Sequence, residues 1–339
     1  MPREIHPMLA TLVEAPFDDS QWIYEVKWDG YRAVAYIRNG KATLVSRNQN
    51  DLTGEFPEIA AALGPLAVES AVVDGEVVAL DEQGRPSFSL MQQRTGMTSP
   101  GKHGPKNRAL PIVYYAFDLL YLDGYNLMNV ELERRKELLQ QIIPCGNLLR
   151  YSDHYPEQGT ALYGVARDKG LEGIVAKLRA SLYVQKRSRD WLKIKITRRQ
   201  ECVIAGYTDP RGGRENFGSI VLGLFDQNGK FRHVGNAGSG FTDATHAALW
   251  KKLHALETDK NPFGEKIEST RRPHWIRPEL VAEIKFSEWT HEGERGGFKM
   301  RAPIYQGLRF DKKPRECVFE FPRSTEEEVN QAENHHDRA

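Results

Sequence analysis

Lys27-Trp28-Asp29-Gly30-Tyr31-Arg32 brings a lysine, a carboxylate, a turn glycine and an arginine together in one short run. A free lysine amine, with a pKa of about 10.4, is a poor nucleophile while protonated. Nearby cations and loss of water favour its neutral form, and the chain supplies candidate cations. A lysine used this way attacks phosphorus or a carbonyl carbon. Arg32 suits a phosphate or a ribose, and Asp29 suits a hydrated metal ion. Taken singly, K-x-D-G is short enough to read equally well as an exposed turn.

Further groups along the chain fit phosphate chemistry. Ser46-Arg47-Asn48 follows a strand-like run and offers a phosphate ligand, and Asp74-Gly75-Glu76 sets acids beside a glycine. Phe117 sits in the apolar run Tyr115-Ala116-Phe117-Asp118-Leu119-Leu120, placed to pack or to stack on a base. Glu172 precedes a glycine, with Lys177 five residues on. Trp191-Leu192-Lys193-Ile194-Lys195 alternates, so Lys193 and Lys195 share one strand face and Leu192, Ile194 and Ile196 the other. Two lysines on one face call for solvent or an anion such as a triphosphate. The basic run Lys186-Arg187-Ser188-Arg189, with Arg198-Arg199 beyond and Arg211 and Arg214 in a glycine-rich turn, suits a nucleic-acid backbone. Each has a plainer reading: core for Phe117, a surface carboxylate for Glu172, a solvated edge for the lysines, a solvated loop for the basic run.

Positioning these side chains requires strands and turns. Trp22 to Val26 alternates and breaks at Asp29-Gly30, and Ala33 to Arg38 returns to Asn39-Gly40, a type I′ hairpin pair. Thr43 to Ser46 predicts a strand, Phe56 to Leu63 a helix entered after Thr53, and Ala71 to Leu80 a hairpin or a bulged strand. Ile112 to Leu122 reads as a strand ending at Asp123-Gly124, and Glu131 to Ile143 as a helix closed by Pro144. This irregular interleaving predicts an α+β domain over 1–199 rather than a doubly wound sheet. Beyond it, Glu201 to Tyr207, Ser219 to Phe225, Lys230 to Val234 and Leu280 to Phe286 read as strands around a helix, Asp243 to Leu256, capped by Thr242 or Asp243. That set predicts an oligonucleotide-binding (OB-fold) β-barrel over 200–322. The Glu-, Asn- and His-rich segment 323–339 reads as disordered.

Composition agrees with a two-domain chain: 339 residues, 40% hydrophobic and 27% charged. A net charge of only +1 means that any nucleic acid is met by a local basic surface and not by bulk charge. Cys145, Cys202 and Cys317 form no CxxC pair, so a zinc module is unsupported and all three read as buried small hydrophobes. No apolar run is long enough for a bilayer and none resembles a secretory leader, which predicts a cytoplasmic, nucleoid-associated protein.

Taken in order, these segments resemble the nucleotidyltransferase signature shared by ATP-dependent DNA ligases, RNA ligases and mRNA capping enzymes. Lys27 to Arg32 resembles motif I, Asp74-Gly75-Glu76 motif III, Phe117-Asp118 motif IIIa, Glu172-Gly173 motif IV and Trp191 to Lys195 motif V. Arg309-Phe310-Asp311-Lys312 resembles the ligase form of motif VI. Pro7-Met8-Leu9-Ala10, Gly206-Tyr207-Thr208, Val234-Gly235-Asn236-Ala237-Gly238 and Tyr305-Gln306-Gly307-Leu308-Arg309 are similar to the ligase component of bacterial ligase D. The resemblance spans about His6 to Phe321.

It implies a lysyl-AMP intermediate on Lys27, formed from ATP, and sealing of 5′-phosphate/3′-hydroxyl breaks in DNA. By the same resemblance Glu25 contacts the adenine edge, Phe117 stacks on the ring, and Arg32 and Glu76 hold the ribose. Lys193 and Lys195 bind the α-phosphate, and Asp29 and Glu172 hold Mg²⁺ or Mn²⁺. Arg47 takes the 5′-phosphate of the break, and Lys186, Arg187 and Arg189 the DNA backbone. Arg309, Asp311 and Lys312 orient the pyrophosphate when a hinge near Arg198 to Glu201 closes. The implied partners are nicked or broken duplex DNA, Ku and an end-joining polymerase, with the chain acting as a monomer and no membrane involved. A GTP-dependent capping enzyme, an RNA ligase and a non-catalytic end-binding scaffold are the alternatives. The form of motif VI argues against the first, and the filled nucleophile and carboxylate positions argue against the last.

Overall fold

Asn39 and Gly40 adopt φ of 50° and 75° and turn strand Tyr31–Arg38 back onto Lys41–Ser46, the positive-φ pair that a type I′ hairpin demands. This hairpin opens one of two sheets in the first unit. The computed structural model describes residues 1–94, 110–210, 216–265, 267, 271–291, 297–321 and 323–336; Arg211 and Arg214 lie outside the described residues. The first unit is built from Met1–Met91 and Ala109–Ile196 and takes back the chain from Phe321, while Thr197–Glu320 forms the body of the second. The chain thus leaves the first unit a few residues before the expected boundary and returns to it at the end.

The hairpin sheet runs in the order Lys41–Ser46, Tyr31–Arg38, Ser70–Ala79, Ile112–Leu122, Tyr125–Asn126, with Leu149–Tyr151 parallel to the start of Ile112–Leu122. Ser70–Ala79 is one continuous strand, the bulged alternative of the two readings. Its register shifts at Val72/Val73 and Asp74/Gly75 against its neighbour. The other sheet runs Leu9–Leu12, Arg187–Lys195, Gly173–Leu178, Trp22–Val26, His154–Pro156, parallel only in its first pair.

The two sheets of this unit share a core of Ile5, Met8, Ile23, Val34, Val72, Phe117, Leu120 and Trp191. Behind the second sheet, Trp22, Tyr24, Leu192 and Ile194 pack with Leu162 and Ala166 of helix Gly159–Asp168. Trp22–Val26 is therefore buried on both faces, and its alternation does not mark a solvent side. Leu192 and Ile194 are fully buried, each worth about 1.5–3 kcal/mol. A one-residue slip would exchange them with Lys193 and Lys195, so burial fixes which face carries the lysines.

Helices Pro57–Leu63 and Leu132–Ile142 lie where the pattern predicts them. Two expectations need correction. Cys145 is exposed; only Cys202 and Cys317 are buried. Where disorder was expected after 322, Thr325–His336 forms a helix on the first unit. Its Ala332 and Val329 join the Trp22 cluster, Glu333 accepts from Trp22 Nε1 at 2.9 Å, and buried Glu328 is paired with Arg189 and Arg323. A narrow apolar stripe and neutralised acids hold a helix that polar composition alone argued against.

In the second unit the strand order is Phe231–Ala237, Ile220–Phe225, Arg199–Thr208, Val281–Lys285, Ile304–Leu308, antiparallel throughout, with Pro273–Trp275 beside the far end of Arg199–Thr208. Bulges near Gly206 and Gly223 strengthen the coiling. Just past one edge strand, the Ser239 carbonyl accepts from Tyr305 N–H on the other edge at 3.0 Å, so the sheet curls back on itself. Helix Asp243–Ala255 begins with a Thr242/Thr245 capping box and buries Leu249 and Leu253 in the core.

His233 is enclosed here, with Lys299 Nζ 2.9 Å from its Nδ1, and burial together with that ammonium pulls it down to about 4. The unfolded chain binds this proton at about 6.5 and the fold only at about 4, so stability falls as pH drops through that window. His233→Gln is expected to flatten this part of a melting-temperature-against-pH curve between pH 4 and 6.5. An unchanged slope would assign the acid sensitivity to other groups.

Candidate active site

Lys27 to Gly30 is the stretch by which the chain passes from strand Trp22–Val26 of one sheet to Tyr31–Arg38 of the other. Gly30 is obligatory there: a Cβ would stand 2.1 Å from the Val77 carbonyl oxygen. Lys27 N–H donates to the Gly173 carbonyl at 2.9 Å, and Ile196 N–H to the Glu172 carbonyl at 2.9 Å. The ends of three neighbouring strands are thereby drawn together. A Cβ at Gly173 would meet Ile194 O at 2.1 Å, so this close approach also needs glycine.

At that end, Lys27 Nζ lies 2.5 Å from Glu172 Oε2, and Lys195 Nζ lies 3.9 Å from Glu172 Oε1. Glu172 is 7% exposed and Lys27 23%, so the carboxylate is enclosed while the amine keeps an opening. Lys193 stands one pleat further along the same strand face, opposite Val175, which in turn lies opposite Glu25. Lys27, Glu172, Lys193 and Lys195 are thus brought to one place from three strands. Asp29 follows in the crossover and is half-buried.

Arg32 and Glu76 are cross-strand partners. The Arg32 guanidinium forks onto Asp74, with Nε and Nη2 each donating at 2.6 Å. Asp74 also accepts from Tyr183 Oη at 2.6 Å and is wholly buried. Thus anchored, the guanidinium lies 4.6 Å from the Phe117 ring centroid, and Lys177 Nζ also lies 4.6 Å from it. Phe117 is itself buried, edge-on to Trp191.

Glu25 is also buried. Its Oε1 accepts from Lys136 Nζ and Lys177 Nζ, both at 2.8 Å, and its Oε2 from Ser152 Oγ at 3.0 Å. Burial alone would raise its pKa; the two ammoniums hold it below the usual carboxylate value.

The sequence reading missed Asp74 as the anchor of Arg32, and it missed Lys136, Ser152 and Tyr183. Asp74 stands out as one of only two charges, with Glu76, inside the apolar run Ala71 to Leu80. Lys136 occupies the helix stripe of Leu132 and Leu139, where an apolar residue belongs. Each was a visible exception to its own pattern.

Of the expected DNA contacts, Arg47 sits in the turn after Lys41–Ser46, half-buried, and Lys186 just ahead of Arg187–Lys195. Arg187 Nη1 donates to the Ala10 carbonyl at 2.5 Å, and Arg189 Nε to Glu328 at 2.8 Å. Arg187 and Arg189 therefore lie on a strand, and Arg189 is an ion-paired residue rather than a lone surface cation.

In the second unit, Arg309 forks onto Asp311 at 2.8 and 2.7 Å and reaches Glu283 at 3.0 Å, while Lys312 pairs with Glu201 at 3.0 Å. Burial would raise the Asp311 carboxyl; Arg309 and Lys312 hold it low. Glu201 and Glu283 face each other across neighbouring strands, and both were unforeseen.

Residues 7–195 match the model of the ATP dependent DNA ligase domain, and residues 213–312 that of the ATP dependent DNA ligase C terminal region. The chain belongs to the ATP-dependent DNA ligase family. This ligase is 37% identical over 328 residues to the multifunctional non-homologous end joining protein LigD of Pseudomonas aeruginosa, covering 95% of the chain and 37% of that protein. It is also 37% identical to the Mycolicibacterium smegmatis protein of that name, covering 94% of the chain and 40% of the relative. The chain thus spans about two fifths of the length of these relatives. DNA ligase C1 of Mycolicibacterium smegmatis is 32% identical and is matched over 93% of both chains. Among solved structures, mycobacterial DNA ligase D complexed with ATP and MES superposes with a TM-score of 0.65 at 34% identity, covering 93% of this ligase and 98% of that chain. The α+β reading of the first unit agrees with these matches. Among the described residues, no helix is long and apolar enough to cross a membrane.

Proposed function

We infer that this ligase seals 5′-phosphate/3′-hydroxyl breaks in duplex DNA through an adenylate carried on Lys27. The observation that carries the reading is the meeting of Lys27, Glu172 and Lys195 at one end of a sheet. Lys27 Nζ, once it has given up its proton, attacks the α-phosphorus of ATP. The new N–P bond forms as the bond to the β-phosphate oxygen breaks, and pyrophosphate leaves. AMP then passes from Lys27 to the 5′-phosphate of the break. The 3′-hydroxyl attacks that phosphate, joining the strands and releasing AMP. Each step asks for alignment and neutralised charge, which Lys193 and Lys195 supply at the α-phosphate.

On this reading Phe117 flanks the adenine, Glu25 reads its edge, and Arg32 with Glu76 takes the ribose. Asp29 and Glu172 are hard oxygen donors of the kind that Mg²⁺ or Mn²⁺ takes, and such an ion would offset phosphate charge. Glu172, already facing two ammoniums, would have to share its carboxylate with the ion.

Incubation with α-labelled ATP is expected to leave label on the protein through a denaturing gel. Label taken from GTP in preference to ATP would replace this reading with capping chemistry. Protein that takes no label, and that releases no AMP with pyrophosphate, would refute it.

Arg309, Asp311 and Lys312 act in the first step, by orienting pyrophosphate. Asp311→Ala frees the Arg309 fork and is expected to slow self-adenylation by about 10²-fold, from misplacement alone. Sealing of a nick that already carries AMP should fall only a few-fold. Equal losses in both assays would remove motif VI from the first step.

Two relatives named for non-homologous end joining support that setting, with Ku and an end-joining polymerase as partners; addition of Ku should then favour joining of double-strand ends over nicks. Arg47, Lys186 and Arg187 take DNA phosphates, and Arg189 contributes less because Glu328 already holds it. Nick binding should weaken steeply with salt. Affinity that does not change with salt would exclude this surface.

A further inference from the structure

One buried polar network grips the strand that delivers Lys27 on both sides of it. Glu25, two residues before Lys27, accepts from Lys136, Lys177 and Ser152 Oγ. Trp28, one residue after, donates from Nε1 to the same Ser152 Oγ at 3.1 Å and stacks on Tyr115 with centroids 3.6 Å apart. Lys136 Nζ donates both to Glu25 Oε1 and to the Ser152 carbonyl, each at 2.8 Å. Helix Leu132–Ile142 is thus tied by one ammonium to Glu25, two residues before the nucleophile. Through Ser152 it is tied to the residue after.

The charge in this network exceeds what pairing requires. Lys177 alone balances Glu25, and nearby Asp118 is already matched by Arg135 at 2.7 Å. Lys136, 1% exposed, adds a second ammonium against the same carboxylate oxygen. Burying an extra cation is costly, and its replacement by an apolar residue of similar volume strands no carboxylate, because Glu25 keeps Lys177 as its partner. Burial indeed pulls the Lys136 ammonium down to about 8, although Glu25 pulls the other way. A fold that needed only a filled helix stripe would carry leucine or methionine here.

We propose that Lys136 is a positioning residue for adenylyl transfer, holding the backbone on both sides of Lys27 through Glu25 and through Ser152 to Trp28. It touches no reacting atom. The proposal rests on Lys27 as the nucleophile.

The test is single-turnover self-adenylation of the full chain with α-labelled ATP at several concentrations, alongside thermal melting, for wild type and Lys136→Met. The expected result is an adenylation rate at saturating ATP lower by about 10²-fold, with a melting temperature equal to or above that of wild type. Activity and stability then move independently or in opposite directions, which a merely structural lysine does not produce. Adenylation within about twofold of wild type would overturn the proposal, and so would a rate that falls only in step with the melting temperature. Should Lys136→Met fail to fold, Ser152→Ala cuts the bridge to Trp28 while leaving both ammoniums, and about a tenfold slower rate is expected. A wild-type rate in Ser152→Ala would then be decisive against it. Wild type that takes no label, or label that persists in Lys27→Ala, would instead fail the nucleophile reading and the proposal with it.

Discussion

Lys27→Ala and Lys27→Arg are both expected to accept no label from ATP, a loss of more than about 10⁴-fold, as removal of a covalent nucleophile produces. The arginine variant is the sharper of the two. It keeps a cation beside Glu172, where Lys27 now stands 2.5 Å away, so the local charge balance and the fold should survive. A guanidinium does not deprotonate in proteins and cannot attack phosphorus. If Lys27 served only to neutralise Glu172, Lys27→Arg would retain much of the activity. Sealing of a nick supplied with AMP already on its 5′-phosphate bypasses the attack by Lys27 and should persist in both variants. Retained labelling of Lys27→Arg would place the nucleophile elsewhere.

Asp74→Ala should be the most damaging single change to the architecture around the site. Asp74 is wholly buried and accepts two bonds from Arg32 and one from Tyr183. Removing one partner of a buried, hydrogen-bonded pair leaves the other uncompensated, at about 3–5 kcal/mol. For a unit of this size that corresponds to a fall in melting temperature of roughly 6–20 °C. The same loss releases the guanidinium from its place beside Phe117, so self-adenylation below the new melting temperature should fall by about 10²-fold. Asp74→Asn keeps the shape and one acceptor but not the charge, and should lie between wild type and Asp74→Ala in both measurements. A melting temperature within about 2 °C of wild type for Asp74→Ala would mean that Arg32 finds another partner and that the anchor is dispensable.

Much of this was legible along the chain because it depends on short-range patterning. The hairpin at Asn39-Gly40 was readable because two positive-φ residues in a row admit few side chains. The shared face of Lys193 and Lys195 followed from strand periodicity and from the need to bury Leu192 and Ile194. The order of Lys27, Glu76, Phe117, Glu172, Lys193 and Arg309 carried the resemblance to the ligases, whose family models the chain matches. The Ala71 to Leu80 run stayed ambiguous between hairpin and strand, because a bulge and a tight turn use the same glycine. The helix Thr325–His336 was read as disorder because its polar composition hides the few contacts that hold it, Trp22 to Glu333 and Arg189 to Glu328.

By itself, then, the sequence determined the candidate reacting groups, their order and the local elements that carry them, since residue type and spacing set those directly. The tertiary structure decided which charges neighbour which. Asp74 and Arg32, Glu25 and Lys136, and Glu283 and Arg309 are separated by many residues and meet only when strands pair or a helix docks on a sheet. Electrostatic coupling depends on separation in space and on burial. No one-dimensional pattern encodes either until the chain has folded.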